Sequence, residues 1–186
     1  MAVKHLTYAI FGSLSLIACS VLASAQEVAP TVVVNSKDKD AVRIYRRYDK
    51  SKNETITETR YMPIFENNLG GFDMNVFYTY PGKSPTPPQW VTINFISVDP
   101  EHEYRRDLIV TADGERYHLG VMEYRKIPDS NSRLGLNGKL TLSIPVAAFQ
   151  RIANARGVQM KLGTVDFNLD GRHQRKLYGL LSAMSQ

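Results

Sequence analysis

The chain reads as a β-rich α+β domain: a mostly antiparallel sheet, folded as a sandwich or strongly bent sheet, with two helices in its C-terminal third. Three observations predict this. From Val42 onward apolar and polar residues alternate with period two in run after run, as in strands with one dry and one wet face. Asp113-Gly114 and Gly163 stand between such runs, where hairpins need residues that tolerate positive φ. Only after Pro145 does the apolar spacing turn helical. The 186 residues suit one domain, taking about 150 residues as a typical size. With 43% apolar, 10% aromatic and 22% charged residues, the chain is rich enough to bury a core and unlike a disordered one. The net charge is +5, and the single cysteine, Cys19, excludes an intrachain disulfide.

Residues 1–25, MAVKHLTYAIFGSLSLIACSVLASA, have a basic start at Lys4, an apolar stretch from Leu6 to Leu22, and Ala23-Ser24-Ala25. This is the layout of a secretory signal peptide. It is short and serine-rich for a membrane span, which takes about 20 apolar residues. Two processing routes compete. Cleavage after Ala25 obeys the small-x-small rule and starts the mature chain at Gln26. Alternatively, Leu16-Ile17-Ala18-Cys19 resembles the lipobox of bacterial lipoproteins, which implies lipidation at Cys19. The apolar residues after Cys19 favour the first route. Either way Lys4 is removed and the mature net charge is +4.

Residues 26–40 read as a tether, with one early strand around Val32 to Val34, and residues 41–186 as a single β-rich globular domain. Phe72, Met74, Val76, Tyr78 and Tyr80 share one face of a strand, with Asp73, Asn75 and Thr79 on the wet face. The alternation repeats at Val91 to Phe95, Leu108 to Ala112, Tyr117 to Val121, Leu140 to Ile144, Val158 to Leu162 and Val165 to Leu169, giving roughly eight or nine strands in all. A helix is predicted from Pro145 to about Ala155, with Val146, Phe149, Ile152 and Ala153 on its buried stripe and Gly157 as terminator. A second runs from the N-cap Asp170 to Met184, with Leu177, Leu180, Leu181 and Met184 at helical spacing.

Few residues suggest chemistry. Asp166-Phe167-Asn168-Leu169-Asp170-Gly171 matches the first half of a calcium loop, but Leu177 stands where the bidentate glutamate belongs, so no metal is expected there. His102, His118 and His173 lack metal-ligand spacing. Glu101-His102-Glu103 could do acid–base work, yet no nucleophile motif accompanies it. Basic and aromatic residues interleave at Arg46-Arg47-Tyr48 and Tyr104-Arg105-Arg106, a combination that suits anionic or sugar-bearing surfaces. Four prolines between Pro81 and Pro88 make a stiff loop, suited either to recognition or to guarding a sheet edge. Trp90, the sole tryptophan, follows it as an exposed anchor or a core residue.

The expectation is an exported envelope protein, periplasmic, secreted or lipid-anchored, with no cofactor and no catalysis. It would bind an envelope polymer, lipid headgroups or another envelope protein through Arg46, Arg47, Tyr48, Trp90, Tyr104, Arg105 and Arg106. Nucleic acid fits poorly with export, and a membrane is reached only through the anchor. Two alternatives are a small hydrolase using the Glu/His loop and a small-ligand carrier with an apolar cavity.

Overall fold

Alternation along the chain becomes two antiparallel sheets once the strands find partners. The computed structural model describes residues 28–34, 42–67, 70–97, 104–127 and 137–185; Cys19, the remainder of the N-terminal segment and Glu101-His102-Glu103 lie outside them. The strands are β1 (Val28–Val34), β2 (Val42–Asp49), β3 (Glu54–Thr59), β4 (Met62–Asn67), β5 (Gly70–Pro81), β6 (Trp90–Ser97), β7 (Asp107–Ala112), β8 (Glu115–Val121), β9 (Glu123–Ile127), β10 (Asn137–Pro145), β11 (Val158–Leu162) and β12 (Val165–Leu169). The helices are α1 (Val146–Asn154) and α2 (Gly171–Ala183). The large sheet runs β1-β2-β3-β5-β6-β10-β9, with β4 beside β5, and the small one β12-β11-β7-β8.

Twelve strands replace the eight or nine expected, chiefly because β3, β4 and β9 lack clean alternation. β3 and β4 are successive partners of the same side of β5, separated by a bulge. Glu58 pairs with Phe77 and Met62 with Met74, so Arg60 and Tyr61 together oppose Asn75. One extra residue reverses the inside-outside parity and hides the strand from a period-two reading.

The inner faces meet in a single core. Phe72, Phe95 and Phe167 stand edge to face at centroid distances of 4.9 to 6.0 Å and join β5 and β6 of the large sheet to β12 of the small one. Beside the small sheet, on the same inner face, α2 packs across β1, β2 and β3. Its close approach depends on Gly179, where a Cβ would lie 2.6 Å from Val42 Cγ1.

Turn chemistry follows the sequence. Asp113 and Gly114 both take positive φ, 50° and 87°, in the β7–β8 hairpin. The end of α1 departs from it. Gly157 does not act as a left-handed terminator; Ala155 is extended, and Asp113 Oδ1 accepts from Arg156 N and Gly157 N at 2.9 and 3.0 Å. A hairpin residue thus ends a helix.

Asp170 caps α2 as expected, accepting from the amides of Arg172 and His173. His173 Nδ1 accepts from Asp170 N at 3.2 Å while its Nε2 meets the carbonyl of Pro63 at 2.9 Å, pinning the helix start to β4. The His173 amide and the neighbouring charges hold the Asp170 carboxyl below its usual range. A depressed carboxyl stabilises the fold above its unfolded pKa, and that contribution is lost as pH falls through the folded value. Asp170→Ala should therefore cost about 1 kcal/mol at pH 7. In urea titrations repeated toward pH 3, the gap from wild type should narrow.

Candidate functional site

The two basic segments do not form one patch. Period-two geometry sends adjacent residues to opposite faces, so Arg46 and Tyr48 share the inner face of β2 with Ile44, while Arg47 is on the outer face. Tyr104, Arg105 and Arg106 lead into β7 of the other sheet. There Tyr104 projects into solvent, the Arg105 carbonyl packs against the Gly163 turn, and Arg106 O accepts from Met122 N at 2.9 Å. Tyr104 and Arg105 are exposed and Arg106 is partly buried.

Arg47 and Trp90 do share a face. Arg47 pairs with Ile56, Ile56 with Thr79, and Trp90 with Pro145. The β5–β6 register, continued two residues past Phe77 and Thr92, sets Thr79 beside Trp90. One rung of the outer face of the large sheet therefore reads Arg47, Ile56, Thr79, Trp90, Pro145. The next reads Tyr45, Glu58, Phe77, Thr92, Ser143, and the one after it Asn75, Asn94, Thr141, Glu123.

A hydrogen-bonded chain crosses these rungs. Arg47 Nε donates to Glu58 Oε1 at 3.3 Å, and Asn75 Nδ2 to Glu58 Oε2 at 3.4 Å. Asn94 Nδ2 donates to Asn75 Oδ1 at 3.4 Å, and Thr141 Oγ1 to Asn94 Oδ1 at 3.0 Å. Asn75 Nδ2 also reaches the Thr59 carbonyl at the bulge, which is free because the Thr59 hydroxyl accepts from Val76 N instead. Five strands are thus linked by side chains on one surface. Asn75 and Asn94, expected to be wet, are each 2% exposed, their amides engaged with one another and with Glu58, the Thr59 carbonyl and Thr141.

Aromatic residues frame this ladder. Trp90 is 55% exposed. Arg60 stacks over the Tyr45 ring at 4.5 Å. Tyr61 lies between Glu58 and Asp73, and burial, with those two carboxylates, raises its phenol above the ordinary value. The proline loop ends at the same edge of the face as Trp90 and is tied to the β2–β3 turn by Gly82 N to Asn53 O at 2.7 Å and Thr55 Oγ1 to Gly82 O at 2.6 Å. Because it joins two interior strands, this loop guards no sheet edge. The chain matches no known protein family, no curated protein and no solved structure.

Two other concavities exist among the described residues. A depression of about 190 Å³ on the free face of the small sheet is lined by Thr111, Arg116, Gln159, Lys161 and Asp166, its charge partly cancelled by the Lys161–Asp166 pair at 3.3 Å. A shallow groove of about 380 Å³ lies between α1 and α2 beside Tyr178. Among the described residues no cluster of His, Cys, Asp or Glu could hold a metal, and no helix is long and apolar enough to cross a membrane.

Proposed function

We propose that this chain is an exported, non-catalytic envelope protein that holds a polar polymer, a cell-wall glycan, along the outer face of the large sheet. The single observation behind this reading is the exposed indole of Trp90 on one rung with Arg47, beside the solvent-facing hydroxyls of Thr92 and Ser143 on the next. A sugar ring presents an apolar C–H face that packs on an aromatic ring, and hydroxyls that exchange hydrogen bonds with amides and carboxylates. The charges favour a glycan over an anionic lipid surface. Arg47, the one charged residue on the rung that carries the indole, is paired with Glu58, so that rung offers little unpaired positive charge to headgroups. Support for export comes from the n-region, apolar stretch and Ala23-Ser24-Ala25 of the N-terminal segment. The mass of the mature N-terminus separates a start at Gln26 from one at Cys19.

The binding test is co-sedimentation of the purified protein with insoluble peptidoglycan at low and high sodium chloride. Retention should change little with salt, since screening weakens exposed charge contacts far more than stacking. Trp90→Ala should weaken it roughly tenfold, the scale of losing one well-packed aromatic anchor. Failure of the wild type to sediment would sink the glycan reading. Salt-sensitive capture by anionic vesicles, unaffected by Trp90→Ala, would transfer the function to a charged surface.

A further inference from the structure

The inner face of the large sheet turns polar just past the end of α2. Arg46 pairs with Thr57 and Thr57 with Tyr78 across β2, β3 and β5; the neighbouring rung is Tyr48, Thr55 and Tyr80. Tyr78 stands at the centre. Its hydroxyl donates to the Ala183 carbonyl of α2 at 3.1 Å, and its ring lies 6.3 Å from that of Tyr80. Burial raises the Tyr78 phenol above its usual value, and the nearby Thr57 hydroxyl and Arg46 charge partly offset the rise.

Three buried polar atoms in this cluster have no hydrogen-bond partner: Arg46 Nε, Thr57 Oγ1 and Tyr80 OH. They are three of the four such side-chain atoms among the described residues. Thr57 is 0% and Tyr80 3% exposed, so bulk water does not serve them. Folds rarely leave buried donors unmade, because the desolvation penalty exceeds what a hydrogen bond returns. Arg46 compounds the cost. Its guanidinium is always charged, and no described carboxylate lies within ion-pair distance of it, whereas its neighbour Arg47 has Glu58.

We propose that Arg46, Thr57 and Tyr80 form a binding site for the carboxylate group of a small ligand or peptide end, reached from the end of the sandwich where Arg46 is only half-buried. The guanidinium fork donates to the carboxylate oxygens and the two hydroxyls complete their coordination. One positive charge with two neutral donors matches a monoanion. A phosphate dianion would carry an uncompensated charge toward the C-terminal carbonyls of α2, the negative end of the helix dipole. The site is on the opposite side of the sheet from the glycan face and does not depend on it.

The test is acetate titration at pH 7, read as a rise in melting temperature against matched sodium chloride and inorganic phosphate. The wild type should show a saturable rise with acetate only. Arg46→Met should abolish it. Tyr80→Phe should weaken apparent acetate affinity roughly tenfold, the scale of one hydrogen bond to a charged group, while leaving the ligand-free protein as stable as wild type or more so. Lys83→Ala, at the rim over Tyr48, should leave the acetate response unchanged. Equal shifts with acetate and chloride would overturn the assignment, as would a Tyr80→Phe protein that titrates like wild type. A Tyr80→Phe protein much less stable without ligand would show that the hydroxyl already has a partner, and preference for phosphate would overturn the monoanion.

Discussion

Replacing Phe95 by alanine should lower stability by about 3–5 kcal/mol, the usual cost of deleting a fully buried phenylalanine. Phe95 is wholly enclosed, sits between Met74 and Leu140 in the large sheet, and sets its ring against Phe72 and Phe167. Because Phe167 belongs to the small sheet, the deletion removes packing between layers as well as apolar area. A domain typically keeps 5–15 kcal/mol in reserve, so the variant should be marginal at 37 °C. Urea unfolding of Phe95→Ala and Phe95→Leu measures it, the leucine variant losing clearly less. A loss below about 1 kcal/mol with an unchanged urea slope would mean that these rings do not hold the sheets together.

The second large effect is expected at the β11–β12 turn. Gly163 has φ of +58°, its N–H donates to Asp107 O at 3.0 Å, and a Cβ there would stand 2.5 Å from the Arg105 carbonyl oxygen. Alanine would incur the left-handed backbone cost, about 1–2 kcal/mol, and an overpacking cost of about 1–3 kcal/mol. The obstacle is backbone, which cannot swing aside. Gly114→Ala is the control: its φ is +87° but nothing stands within 4 Å of the added carbon, so only the conformational cost applies. Thermal melts of the two variants side by side should rank Gly163→Ala as clearly the worse. Equal melting temperatures would show that the Arg105 segment gives way.

Much of the fold was legible because its information is local. The alternation from Phe72 to Tyr80, the Asp113-Gly114 turn and the Asp170 cap each depend on residues a few positions apart. The bulge between β3 and β4 was not legible, since Arg60 and Tyr61 oppose the single Asn75 across the sheet and shift the parity on which the reading depends. The candidate site was legible only in pieces. Trp90 and Arg47 were identifiable as residues, and strand alternation already implies that Arg46 and Arg47 face opposite ways. Nothing in sequence spacing foretells that Asn94 bonds Asn75 on one side and Thr141, 47 positions further along the chain, on the other.

The β-rich class, the C-terminal helices, the turn positions and the dry and wet sides of most strands are written in local residue order. Those follow from backbone sterics and from side-chain periodicity along a single strand. The tertiary structure alone decided which strands are neighbours. That choice splits the arginine-rich segments between two sheets, gathers Arg46, Thr57 and Tyr80 beyond the end of α2, and aligns Trp90 with Arg47 on the opposite face. Period two says which way a side chain points, but its neighbours across the sheet are set by long-range pairing, where burial of the whole core outweighs any local preference.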